Sequence, residues 1–214
     1  MIRRLSFKGH PMNLDEEFRS QAFIDALSAR GIILELTDQA WDAGATNWSD
    51  FSETDAVIAV RNLTKVDAAN KPGSKLVNAW YGETPALLGP EPAYQEMCSS
   101  ELDYVEIHTA QDALNAIDRI NASPSLFNEM VANGVSRRSL YSDKNLLERW
   151  ISALNGPVAQ CFDSWQKMPL SIRALYSMGN MLSEKKVKRE YRHAIFNGPR
   201  ILDAARAKMT SDQA

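Results

Sequence analysis

Residues 70–97 read NKPGSKLVNAWYGETPALLGPEPAYQEM, and the reading of this stretch decides the fold. Lys71-Pro72-Gly73-Ser74-Lys75 is a turn. Ser74 is placed to cap a short helix that runs to Tyr81 and is closed by Gly82. Pro85-Ala86-Leu87-Leu88-Gly89 then reads as a strand, apolar without alternation, as expected when both faces are covered. Just upstream, DAVIAV (55–60) is a second strand of the same kind. Buried strand, turn, helix, buried strand is a βαβ unit, which implies a parallel sheet with helices packed on it.

The pattern extends in both directions. RRLSF (3–7) predicts a strand that runs into the breaker turn Lys8-Gly9-His10-Pro11. A helix is expected from Asp15 to about Arg30, with Phe18, Ala22, Ile24, Ala26 and Leu27 on its apolar side and Gly31 closing it. IILEL (32–36) and YVEIH (104–108) are further strands, the first followed by a Trp- and Ser-rich segment. From Ala110 the signal becomes helical over AQDALNAIDRI, SPSLFNEMVANGVSRRSLY and SDKNLLERWISAL. Gly156-Pro157 reads as a hinge, and 157–209 as all helix. The expected architecture is an α/β, Rossmann-like three-layer domain over 1–155, with a mostly parallel sheet, followed by a helical extension over 156–214.

The 214 residues are 44% hydrophobic and 24% charged, a globular composition, and the net charge of −3 carries no nucleic-acid-binding character. Charge is unevenly placed. Residues 167–208 hold ten Lys/Arg against three Asp/Glu, so this end is basic and the remainder acidic. Two cysteines outside any CxxC spacing fit a reducing compartment. The N-terminus lacks a secretory apolar region, and no run of about 18 apolar residues occurs, so the protein reads as cytoplasmic. There is no P-loop, no GxGxxG fingerprint and no nucleophile elbow. The three histidines are scattered, and no metal is expected.

What remains is phosphate chemistry. The first N–H groups of a helix have no internal partner and carry partial positive charge, so an anion placed there gains hydrogen bonds and dipole stabilisation. Gly73 allows close backbone approach before Ser74 and Lys75, while Lys71 and Lys75 add full charges. Arg61 follows a buried strand, at the edge where open parallel sheets bind ligands.

DAVIAVR, KPGSKLVNAWYGETPALLGPEPAYQEM, DYVEIHTAQDALNAI and NEMVANG resemble the C-terminal, donor-binding half of GT-B glycosyltransferases of the family-1/family-4-like kind, over about residues 1–155. The resemblance implies a nucleotide-diphosphate-sugar site at the C-terminal edge of the sheet. In the retaining members two glutamates stand eight residues apart, one near the sugar and one on the nucleotide ribose. Those places fall on Asn70 and Asn78 here, both able to bond hydroxyls. The basic pair that such enzymes place on the diphosphate has no firm match; Lys8, in the turn with Gly9, and Arg61, Lys71 and Lys75 are its candidates. Glu91 or Glu96 falls where the family places an acid near sugar or nucleotide.

The resemblance implies metal-independent transfer of a sugar from a nucleotide-diphosphate sugar, with no cofactor besides that co-substrate. The first strand begins at residue 2, so the acceptor domain is expected on a longer protein or a partner subunit. The alternative is a non-catalytic nucleotide- or partner-binding module, which the two asparagines favour. Leu170, Ile172, Leu175, Met178 and Leu182 form an apolar stripe. The basic EKKVKREYRH after it reads as a solvated helical face, with peripheral contact at the inner membrane face, which the resemblance implies, or an adaptor role as the alternatives.

Overall fold

The computed structural model describes residues 1–36 and 48–211, except the side chain of Leu182. Part of the Trp- and Ser-rich segment (37–47), residues 212–214 and the Leu182 place in the apolar stripe lie outside the described residues.

Five strands, β1 (Arg4–Phe7), β2 (Ile33–Leu36), β3 (Ala56–Ala59), β4 (Ala86–Leu88) and β5 (Val105–Glu106), form one sheet in the order β2-β1-β3-β4-β5. Every neighbouring pair is parallel, with Leu5 opposite Leu34 and Ala56, and Ile58 opposite Leu87. All residues of β3 and β4 are buried, which is why both read as unbroken apolar runs. β2 is an edge strand with Ile33 exposed. Around the sheet pack α1 (Gln21–Ser28), α2 (Lys65–Ala68), α3 (Ser74–Tyr81), α4 (Pro92–Met97), α5 (Ala110–Ala122) and α6 (Pro124–Arg138). The fold is Rossmann-like α/β with a helical C-terminal region.

Local chemistry accounts for the departures from expectation. The helix foreseen over Asp15–Arg30 is divided into a 3-10 turn, Glu16–Arg19, and α1. Ser20 is the divider, because its hydroxyl accepts from Phe23 N at 3.3 Å and caps a new helix. The short helices α2 and α4 were not foreseen, since four and six residues are too few to show a period. At α3 the cap is Gly73 rather than Ser74, and no side chain bonds the exposed N–H groups.

The remaining helices are α7 (Asp143–Ala153), α8 (Ala159–Lys167), α9 (Leu170–Asn197) and α10 (Ile201–Ser211). Residues Met1–Arg138 with Pro199–Ala214 make one compact unit, and Ser139–Gly198 makes another. The units thus part at 138/139, whereas composition suggested 155/156. Gly156-Pro157, read as a hinge, lies inside a π-helical turn, Leu154–Val158, that joins α7 to α8. The wider π turn accommodates a proline, which lacks the N–H that an α turn needs. α10 belongs to the α/β unit: Ile201 and Leu202 are buried there, and Ile201 N donates to Leu63 O at 2.9 Å. Arg206 adds ion pairs to Asp15 and Glu17.

Candidate functional site

In the strand order β2-β1-β3, the connections after β1 and after β3 leave in opposite directions. This opens a crevice at their C-terminal ends, the place where doubly wound sheets bind ligands. A cavity of about 260 Å³ occupies it, lined by Lys8, Gly9 and His10 after β1, Arg61 after β3, and Ser74, Lys75 and Asn78 of α3. Trp48 and Phe51 supply an aromatic wall, and Asn13, Val57 and Pro72 complete it. Among the described residues the lining holds the basic side chains Lys8, Arg61 and Lys75 and no carboxylate.

Lys75 is the centre of this arrangement. Its ammonium donates to Lys8 O at 2.5 Å and lies 4.7 Å from the centre of the Phe7 ring. A Cβ at Gly9 would lie 3.0 Å from that nitrogen and 3.2 Å from Phe7, so a larger residue at this turn would press on the lysine and the ring. Burial, and then the neighbouring Arg61 charge, lower the Lys75 pKa to about 8, with Glu91 partly offsetting them.

Arg61 is held from behind. Its Nε donates to Glu91 Oε1 at 2.9 Å and its Nη2 to Glu91 Oε2, a two-pronged pair around a carboxylate that is completely buried. Burial opposes the Arg61 charge, but the two bonds and the charge of Glu91 outweigh it and raise the guanidinium pKa. Tyr94 is buried beside them, its hydroxyl pKa pushed up by burial and by the Glu91 carboxylate.

The first turn of α3 closes the third side. Gly73 O accepts from Leu76 N and Val77 N, and with no side-chain cap the earlier N–H groups remain available next to Ser74. Past Asn78 the groove continues into an uncharged hollow lined by Ser49, Phe51, Ser52, Asn78, Tyr81 and Gly82. Phe51 stands between the two spaces with Lys8 Nζ 5.5 Å from its ring centre. A Cβ at Gly82 would lie 2.5 Å from that ring, so Gly82 sets where the ring rests.

Six of the eleven residues singled out from sequence, Lys8, Gly9, Arg61, Ser74, Lys75 and Asn78, line the cavity. The others do not. Lys71 pairs with Asp67 at 3.0 Å, and Asn70 donates to Val66 O at 2.6 Å, both turned toward α2. Gly73 is tight against α4, where a Cβ would strike Met97 Sδ at 2.3 Å, so its small size serves packing. Glu91 supports Arg61 from outside the cavity, and Glu96 is exposed on α4. Sequence reasoning missed His10, Asn13, Trp48, Phe51, Val57 and Pro72. His10, Val57 and Pro72 stood within motifs already recognised, but not as lining residues. Among the described residues no group of three or more His, Cys, Asp or Glu side chains could hold a metal ion.

No family model and no curated protein matches the sequence. Eight solved chains match in structure. Among them is Anabaena Alr3699/HepE in complex with UDP and glucose, with a TM-score of 0.51 and 13% identity. The match covers 76% of this chain and 48% of that one, so it spans about half the length of that protein. At this identity the likeness is one of fold.

Proposed function

We propose that the chain binds a nucleotide-diphosphate sugar at the β1/β3 crevice and is the donor-binding half of a metal-independent glycosyltransferase. The observation that carries this reading is the convergence of Lys8, Arg61 and Lys75 with the uncapped start of α3 in one cavity, lined by no carboxylate among the described residues. Such a site offers full charges and backbone donors to a diphosphate while the leaving group develops charge, the role an ion would otherwise fill. Trp48 and Phe51 give a planar base something to stack on, and Asn78 with the hollow beyond it suits a hydroxyl-bearing ring. The fold likeness to a protein crystallised with UDP and glucose supports the same ligand class. In this reading the acceptor is carried by a separate domain or subunit, and the protein works in the cytoplasm.

One observation favours the alternative, a non-catalytic nucleotide-binding module of the same fold. No carboxylate lines the cavity among the described residues, and Glu91 behind it is committed to Arg61. Thermal unfolding with UDP, GDP and their sugars tests both readings, because any ligand of the folded state raises the Tm. The absence of a shift with every nucleotide at millimolar concentration would sink both. UDP-glucose hydrolysis that disappears in Lys75→Met selects the enzyme, and binding without turnover selects the module.

A further inference from the structure

The unit Ser139–Gly198 contains no buried residue among those described, although it is rich in large apolar side chains. Leu147, Trp150, Leu154, Val158 and Phe162 recur at steps of three or four residues along α7, the π turn and α8, and each is 52–65% exposed. This is the spacing of a helix that buries one stripe, yet no described side chain of the unit covers the stripe. On α9 the residues Ala174, Met178 and Met181 continue at the same step into Lys185, Lys188 and Arg192. One line of that helix therefore changes from apolar to basic along its length. Leu170, Leu175 and Phe196 add exposed apolar surface.

Charge narrows the choice of partner. Residues 139–198 carry nine Lys/Arg against five Asp/Glu, whereas the whole chain is at −3, so the cations are concentrated on the unit with the open apolar stripes. Lys186 and Lys188 have carboxylate neighbours one turn away, and no salt bridge is made by Lys185, Arg189 or Arg192 among the described residues. Two copies of this unit face to face would set like charges together. No described helix is long and apolar enough to cross a membrane, which leaves the surface.

We infer that the helical unit docks on an anionic lipid bilayer, with its Leu, Met, Phe and Trp stripes in the interface and its Lys/Arg run against the headgroups. Exposed apolar stripes bearing Trp and Phe, joined to a basic segment, are the chemistry an anionic interface recognises. The inference does not depend on the nucleotide reading, because no residue of the crevice takes part.

Co-sedimentation of the full chain with phosphatidylcholine vesicles, with and without about 30% phosphatidylserine, tests it. Binding is expected on the anionic vesicles, at least about tenfold weaker on the neutral ones, and weakened by high salt. Leu154→Asp and the triple change Lys185→Glu, Lys188→Glu, Arg189→Glu should each lower binding about tenfold or more with the helical circular dichroism kept. Gln160→Glu, outside the apolar stripe, should leave it nearly unchanged. Failure of the unmodified chain to bind anionic vesicles overturns the inference without recourse to any variant. So does a stable two-chain species by light scattering that Leu154→Asp dissociates, since a second copy would then cover the stripe.

Discussion

Lys75 shows how one residue's placement ties stability to ligand binding. Its ammonium is half-buried between Phe7, Gly9 and the Lys8 carbonyl, and its pKa falls from 10.5 to about 8. At pH 7 the lysine is charged in both folded and unfolded chains, so the cost of burying the charge is fully present. Between about 8 and 10.5 the unfolded chain holds a proton the folded chain has released, and stability rises with pH across that window. Lys75→Met should therefore stabilise the ligand-free protein by about 1–2 kcal/mol at pH 7 and remove that rise, as read from urea unfolding at several pH values. Anion affinity should run the opposite way, strong below pH 8 and falling above it as the cation is lost. Arg61 and Glu91 behave differently, because each satisfies the other. Arg61→Ala leaves a fully buried carboxylate unpaired and should cost about 3–5 kcal/mol, while replacing both by methionine should cost less than the single change. Sequence made Lys75 and Arg61 visible, as cations just past buried strands or at a helix start. It also suggested Lys71, at the start of the same turn as Lys75. Its orientation toward Asp67 depends on α2, which is too short to announce itself.

Elements are where the sequence was most readable and where glycines show why the packing is tight. Strands β1, β3 and β4 and helices α3, α5 and α6 follow from apolar runs, caps and breakers. In the structure a Thr109–Asp112 capping box starts α5, a signal that the reading of the sequence passed over. Less legible were features set by a single competing bond, such as Ser20 dividing the first helix, or by contacts distant in sequence. Gly134 of α6 belongs to the second kind: a Cβ there would lie 2.9 Å from Trp80 Cδ1, so α6 packs closely on α3. Gly134→Val should cost about 1–3 kcal/mol through displacement of the helix that carries Lys75 and Asn78. Gly82→Ala makes a sharper functional test. The new methyl would displace the Phe51 ring from 2.5 Å, so ligand affinity should fall several-fold while the urea midpoint changes little. A large loss of stability with unchanged affinity would mean that Phe51 is a packing residue and not a wall of the site.

At the scale of the molecule, the two compact units follow different physical rules. The α/β unit has a full apolar core, and α10 returns to it after the helical unit, through Arg206 and the buried Leu202. The helical unit has amphipathic faces without a core. That division was only half legible. Composition announced helix and basic charge at the C-terminal end, but the return of α10 rests on ion pairs between residues nearly 190 positions apart. The central claim, that the crevice between β1 and β3 is a nucleotide-diphosphate site, meets its most direct test in calorimetric titration of UDP. The titration is made into the unmodified chain and into Lys75→Met at pH 7. Saturable binding by the first, weakened at least about tenfold in the second while its unfolding temperature rises, is the predicted result. No heat of binding at millimolar UDP, or equal affinity in the two proteins, would contradict it.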